Sequence, residues 1–315
     1  MREDKNTTRD TIQKTMVDRE QFKIADDGLL VSAPAKINLS LLIAGRRPDG
    51  FHEVETIMAK IDYYDELLIQ KGKKSGIELR CKGRHWAPAG KENLIYQACE
   101  MLLDCCRVKA NLRLTLTKNI PAGTGLGSAS SDAAATLMGL NRLLKLGVGK
   151  RRLSEIAAKL GSDIAFFLGG PLAFCTGKGE KIKKLNKIFD FSALLILPDV
   201  TISTKTVYDN YKHNNDLYKR LSAQIKSLLL KNRIDLVSKM CANVLQTTCL
   251  GLCEGLADLK TSAESLGFRP LCLSGSGSAM FYIADGINEK ITLEDRSELE
   301  NKNRCKSIIV RNNRW

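Results

Sequence analysis

The chain has 315 residues, enough for two ordinary domains, with 43% hydrophobic and 27% charged residues, the balance of a water-soluble globular protein. No apolar run is long enough to span a bilayer, and the polar, mixed-charge residues Met1 to Lys23 suit neither a secretory signal nor a transit peptide, so a cytoplasmic protein is expected. A net charge of +14 raises nucleic-acid binding, but the clusters at Lys71 to Lys74, Lys150 to Arg152 and Lys178 to Lys184 lack interleaved aromatics and no nucleic-acid-binding signature is present, so no nucleic-acid partner is expected.

Residues 1–27 read as a flexible lead. Leu29 to Leu42 reads as a strand, with Pro34 at its start or an edge. Arg46-Arg47-Pro48-Asp49-Gly50 has turn chemistry. Strands follow from Val54 toward Ile61 and from Glu66 to Gln70. Asn93 to Cys106 carries Leu94, Ile95, Ala98, Met101 and Leu102 at helical spacing. Leu112, Leu114 and Leu116 alternate with polar residues, the period of a half-buried strand. Ala133, Leu137, Leu140 and Leu144 predict a helix, with Gly147 as its C-cap. Ser154 to Leu160 is a shorter helix closed by Gly161, and Ser162-Asp163 starts another that ends at Gly169-Gly170.

The chain restarts at Phe191. Ala193 to Leu197 reads as a buried strand. Helices are predicted over Tyr218 to Leu230, Ile234 to Leu245 and Glu254 to Leu266. Strands are predicted at Leu271 to Leu273, Ala279 to Ile283 and Ser307 to Val310. The strands cluster rather than alternate with helices, which gives an α+β chain of two halves, 28–180 and 181–315.

Between the strand at Leu112 and the helix at Ala133 stands Pro121-Ala122-Gly123-Thr124-Gly125-Leu126-Gly127-Ser128-Ala129-Ser130-Ser131. A glycine-rich turn entering a helix offers free backbone N–H groups and the positive end of the helix dipole, which suits a phosphate. It is not a Walker loop, since no Gly-Lys-Ser/Thr follows the glycines. A plain turn with N-cap serines is the ordinary alternative. Ten cysteines and three histidines contain no Cys-x-x-Cys pair. Buried reduced thiols are expected, without a dedicated protein metal site.

Three segments, Pro34-Ala35-Lys36-Ile37-Asn38-Leu39, the glycine loop with Gly161-Ser162-Asp163 beyond it, and Leu273-Ser274-Gly275-Ser276-Gly277, stand in the order found in the galactokinase, homoserine kinase, mevalonate kinase and phosphomevalonate kinase (GHMP) superfamily. The chain after residue 28 resembles that superfamily over nearly its whole length. Gly45 to Glu53, Asn93-Leu94-Ile95 and Leu160 to Ile164 resemble the branch acting on 4-diphosphocytidyl-2-C-methyl-D-erythritol. The resemblance implies a two-domain GHMP fold, with a ribosomal protein S5 domain 2-like first half and a ferredoxin-like second half. It implies transfer of the ATP γ-phosphoryl group to the 2-hydroxyl of that small molecule, by a monomer or weak homodimer.

By the same resemblance, Asp163 matches the catalytic carboxylate and Lys36 the catalytic lysine. Residues Pro121 to Ser131 wrap the triphosphate, and Mg²⁺ arrives with ATP near Ser130. Phe51 and Tyr208 stack on the cytosine, His52 bonds its edge, and Asn38 and Thr204 contact the methylerythritol phosphate region. This branch usually has a glycine triplet where Gly127-Ser128-Ala129 stands, and often tyrosine in place of Phe51; stacking survives without the hydroxyl. Taken singly, Asp163 would be a helix-start acid, Lys36 a snorkelling strand lysine and His52 a satisfied loop histidine. Homoserine or mevalonate-type kinases lack the Gly50-Phe51-His52 element, and a nucleic-acid binder on the same fold would have no use for Lys36 with Asp163.

Overall fold

The computed structural model describes residues 20–25, 27–186, 189–284 and 293–315. Of the lead expected over 1–27, residues 1–19 and 26 lie outside these. The remainder contains a strand, β1 (Phe22–Ala25), which pairs with the start of the next one. Among the described residues no helix is long and apolar enough to cross a membrane.

Two long antiparallel strands form the spine. β2 (Gly28–Arg46) and β3 (His52–Lys71) pair from Gly28↔Gln70 to Arg46↔His52. The turn between them closes on Arg47 N–H to Phe51 O at 2.7 Å. The break expected between Ile61 and Glu66 is absent. A register shift at Pro34/Ala35 absorbs the extra residues of β3 there, at the one β2 residue with no N–H to offer.

The first sheet continues with β4 (Ile77–Gly83), β5 (Leu112–Lys118), β6 (Leu172–Gly177) and β7 (Lys181–Lys184). Its order is β1-β2-β3-β5-β4, with β6 on β3 and β7 on β6. Four helices share one core with it: α1 (Leu94–Cys106), α2 (Ser128–Leu143), α3 (Lys150–Leu160) and α4 (Ile164–Phe167). There Val31, Leu67, Ile69 and Leu114 meet Leu102, Leu137, Leu140 and Phe166. The predicted alternation of Leu112, Leu114 and Leu116 is observed, all three being buried.

The second half holds β8 (Ser192–Pro198), then α5 (Thr204–Asn210), α6 (Asn215–Leu230), α7 (Ile234–Lys239), β9 (Ala242–Asn243), α8 (Gln246–Leu252) and α9 (Glu254–Ser265). β10 (Cys272–Leu273), β11 (Met280–Ala284), α10 (Leu293–Lys302) and β12 (Cys305–Arg311) follow. Its sheet is antiparallel in the order β10-β11-β8-β12. A strand, helices, a hairpin, a helix and a last strand in that order form the expected ferredoxin-like topology.

Several elements differ from expectation. The helix expected over Ile234–Leu245 stops at Lys239, because Ala242 and Asn243 add to β2 as parallel strand β9. The Asn243 amide also donates to the Leu273 and Gly275 carbonyls, at 2.9 and 2.8 Å. Tertiary pairing here overrides helical spacing. Gly147 is not a C-cap; α2 ends at Leu143 with Leu144 as its C-cap, and Lys145 takes the left-handed conformation. α3 starts at Lys150, four residues before the expected Ser154. The first sheet runs to Lys184, past the expected division at 180. The halves also share a core, where Ala35, Ile37 and Leu39 of β2 meet Ile225, Ile234, Val237 and Phe281.

Candidate active site

Strand alternation builds the centre of the site. Ala35, Ile37 and Leu39 join the shared core, so Lys36 and Asn38 point to the other face. The Lys36 ammonium, almost fully buried, donates to the Gly125 carbonyl at 2.7 Å and to the Asn38 side-chain oxygen. It lies 3.9 Å from Asp163 Oδ2. The Asn38 amide is fixed by its bond to Thr56 Oγ1, 2.8 Å away. Burial lowers the Lys36 pKa, against the opposing charge of Asp163.

Asp163 sits at the N-cap of α4, yet its carboxylate makes no capping hydrogen bond. Its side chain is 36% exposed. The carboxylate thus caps nothing, faces a buried ammonium and reaches solvent. Gly179, in the β6–β7 turn, leaves room beside it: a Cβ there would stand 3.5 Å from Asp163 Oδ1.

The glycine loop crosses this centre. Lys36 N–H donates to the Leu126 carbonyl at 2.9 Å. Ser274 Oγ donates to the Gly125 carbonyl at 3.0 Å, and Ala279 N–H to the Thr124 carbonyl at 3.0 Å. The second glycine turn, 274–277, thus lies against the first. Gly125 has φ +78°, and a Cβ on it would fall on the Ser274 carbonyl oxygen. A Cβ on Gly127, at φ +70°, would meet Phe167 at 2.9 Å and Lys36 Cγ at 3.1 Å. These two glycines therefore serve chain-to-chain approach. Gly123, exposed with open space about it, is the one left facing outward.

α2 begins at Ser128, and its first backbone bond is Ser131 N–H to Gly127 O, 2.9 Å. The N–H groups of Ser128, Ala129 and Ser130 therefore have no intrahelical acceptor and stand at a helix N-terminus. Two of the expected phosphate contacts need correction. The Ser128 hydroxyl is buried against Lys118 and Asp65, and the Ser131 side chain is buried with its N–H already bonded. Leu126 and Thr124 are buried too. Ala122, Gly123, Ala129 and Ser130 keep exposed or partly exposed surface.

A buried ionic cluster beneath the loop escaped the sequence reading. Lys118 Nζ donates to Asp65 Oδ2 and Asp132 Oδ2, both at 2.5 Å, and to Ser128 Oγ. Asp65 Oδ1 accepts the N–H groups of Asn119 and Ile120, at 2.5 and 2.8 Å. One carboxylate of β3 thus ties down the strand end before the loop and, through Lys118, the helix start after it. Burial works to lower the Lys118 pKa, but Asp132 and Asp65 outweigh it and raise it. Burial pushes Asp132 up, against the pull of Lys118. The available signal was an aspartate, Asp65, alternating with the buried apolar Leu67 and Ile69 of the same strand.

The residues expected at the acceptor end gather beyond Asp163. The His52 and Tyr208 rings lie 5.1 Å apart, tilted by 40°. Phe51 is 54% exposed, with the Lys178 ammonium 4.5 Å from its ring centre. Burial lowers the His52 pKa, helped by Arg46 and opposed by Asp209. A neutral imidazole offers one donor and one acceptor. Tyr208 is raised by burial and by Asp163, whose charge reaches it. Thr204 Oγ1 lies 2.8 Å from Ser276 Oγ, which joins α5 to the second glycine turn.

Residues 93–171 match the family model of the GHMP kinases N terminal domain. A 4-diphosphocytidyl-2-C-methyl-D-erythritol kinase of Geobacillus sp. (strain WCH70) is 37% identical over 253 residues, 80% of this chain and 87% of that protein. A crystal structure of 4-(cytidine 5'-diphospho)-2C-methyl-D-erythritol kinase is similar at a TM-score of 0.70 and 30% identity, over 89% of this chain and 98% of that one. A homoserine kinase structure from Cytophaga hutchinsonii, TM-score 0.70 over 94% of this chain and 98% of that one, is 20% identical and shares the fold.

Proposed function

The chain belongs to the 4-diphosphocytidyl-2-C-methyl-D-erythritol kinase branch of the GHMP kinases, and from that premise we propose how its cleft divides the work between ATP and acceptor. The activity is ATP-dependent phosphorylation of the 2-hydroxyl of 4-diphosphocytidyl-2-C-methyl-D-erythritol, in the non-mevalonate route to isoprenoid precursors. The observation that carries the residue assignment is the meeting of Lys36, Asp163 and the glycine loop within one cluster.

Asp163 receives the acceptor hydroxyl and takes its proton as the new oxygen–phosphorus bond forms. The bond from the γ-phosphorus to the bridging oxygen breaks, and ADP leaves with that electron pair. Lys36 stabilises charge developing on oxygen. The free N–H groups at the start of α2, with Ala122 and Gly123, receive the phosphates. Mg²⁺ carried by the nucleotide would supply charge neutralisation on the phosphates, and the Ser130 hydroxyl would help to hold it. Asn38 holds Lys36, and Thr204 lies toward the methylerythritol phosphate. Phe51, His52 and Tyr208 form the cytosine end. We assign the protein to the cytoplasm, acting as a monomer or weak homodimer without nucleic acid.

The test is ADP release, followed by a coupled assay, with 4-diphosphocytidyl-2-C-methyl-D-erythritol, homoserine and mevalonate offered in parallel. Turnover is expected with the cytidyl compound alone. Faster turnover with either other acceptor would overturn the assignment.

His52→Ala tests the acceptor end. Loss of a base-edge hydrogen bond costs about 1–3 kcal/mol, so the KM for the cytidyl substrate should rise by roughly five- to 150-fold. The KM for ATP should hold. An equal rise for ATP would place His52 on the nucleotide instead.

A further inference from the structure

β3 carries a buried lysine that neither the motifs nor the reaction accounts for. Lys60 lies directly opposite Lys36 in the β2/β3 register and is 1% exposed. Directly opposed residues of antiparallel strands share a face. The Lys60 ammonium donates to the carbonyls of Phe167 and Gly169, at 3.1 and 3.0 Å. Phe167 is the last residue of α4, and Asp163 is the N-cap of the same helix. The two lysines thus hold opposite ends of one helical turn. Lys36 faces the carboxylate at its start, and Lys60 binds the carbonyls where it stops.

We infer that Lys60 is a positioning residue for phosphoryl transfer: its ammonium anchors the end of α4 and thereby holds Asp163 over Lys36. The inference rests on the reading of Asp163 as the reacting carboxylate. α4 has only four residues and cannot hold itself in place by its own hydrogen bonds. Its closing carbonyls need donors, and Lys60 supplies them. Lys60 is itself held on both sides of its backbone, by its N–H to Pro171 O at 2.8 Å and by Asn313 N–H to its carbonyl at 2.9 Å. Its ammonium stands 6.0 Å from the Phe166 ring centre and 5.8 Å from that of Trp315, near the outer limit for cation–π attraction. An ammonium is costly to bury. A hydrophobic side chain would fill the same space but leave both carbonyls without a donor.

The charged surroundings give the hold a pH dependence. Lys36 faces Lys60 from β2, with Asp163 beyond it. Lys150 acts from the start of α3. The C-terminal segment brings Trp315, stacked on Tyr64 at 5.8 Å. Burial, with Lys150 adding, lowers the Lys60 pKa to about 7. Above that pH the ammonium becomes an amine and a weaker donor, so turnover should fall. Stability should move the other way. The folded value lies below that of an unfolded lysine, 10.5, so this group's contribution rises from pH 7 toward 10.5. Falling turnover with rising stability across one window separates this effect from general alkaline unfolding.

The experiment compares the native enzyme with Lys60→Met and Lys60→Arg, in a Trp86→Phe background that leaves Trp315 as the sole indole. Turnover, both KM values and Trp315 emission are followed from pH 6 to 9. Native turnover and emission are expected to share a transition near pH 7. Lys60→Met should lose that transition and about tenfold in turnover, with both KM values unchanged. Lys60→Arg stays charged throughout, and should remove the fall near pH 7, leaving the alkaline limb that Lys36 sets, and restore turnover above the Met level. If Lys60→Met fails to fold, the emission titration of the native protein still decides, since an indole without a transition near pH 7 overturns the inference. Native-like turnover and pH profile in Lys60→Met, beside an inactive Asp163→Asn, would overturn the role of Lys60 alone. An active Asp163→Asn would overturn the reading of Asp163 instead.

Discussion

Asp163→Asn should lower turnover by roughly 10²–10⁴-fold, the usual worth of a positioned general base. The amide keeps the shape and loses charge and basicity. Binding of ATP and acceptor should stay near native, because the lost interaction belongs to the transition state. Stability should change little, since the Asp163 side chain is 36% exposed and caps no helix N–H. The effect on Lys36 is a second signature. Burial lowers its pKa and Asp163 opposes that lowering. Without the carboxylate charge, Lys36 should lose its proton at lower pH, so the alkaline limb of the residual activity should move toward acid. Lys36→Ala should also lower turnover, and the double variant should be little worse than either single one, because the two act as a unit. A variant that kept most of its turnover while losing stability would make Asp163 a helix-start acid, and general-base transfer would have to be abandoned.

The centre of the site was legible in sequence because its residues lie within short motifs whose local geometry is decided by neighbours. Strand alternation puts Lys36 and Asn38 on one face, and the glycines mark the loop. What stayed hidden depends on partners far along the chain. Asp65 and Lys118 are 53 residues apart and meet only when β3 pairs with β5. Ser128 and Ser131 have the composition of phosphate contacts, but helix rotation turns their side chains inward, a matter of packing that spacing alone leaves open. The helix expected over Ile234–Leu245 failed for the same reason. Its apolar spacing is helical, yet residues 242–243 find a better partner in β2. Lys60 gave no signal beyond being a lysine in an apolar strand, since its partners are backbone carbonyls that no side-chain pattern announces.

Those distant contacts also change what a glycine substitution should do. Gly125 was expected to admit a phosphate. In the fold it admits the Ser274 carbonyl, and its own carbonyl accepts from Lys36 and Ser274. Gly125→Val should therefore strike three parts together. The side chain clashes with the second glycine turn, the φ of +78° strains a β-branched residue by about 1–3 kcal/mol, and the displaced carbonyl releases the Lys36 ammonium. The KM for ATP should rise by at least tenfold and turnover should fall. Gly147→Val isolates the strain. That glycine has φ +66° with nothing within 4 Å of an added Cβ, so its valine variant should lose only the strain share of that stability and keep native ATP affinity. Gly125→Ala offers a milder form of the same clash and should fall between the two. Thermal unfolding separates the causes, and nucleotide-induced thermal shift reads the binding. A folded Gly125→Val with native ATP affinity would reduce the loop to a plain turn, and the triphosphate would have to be sought elsewhere in the cleft.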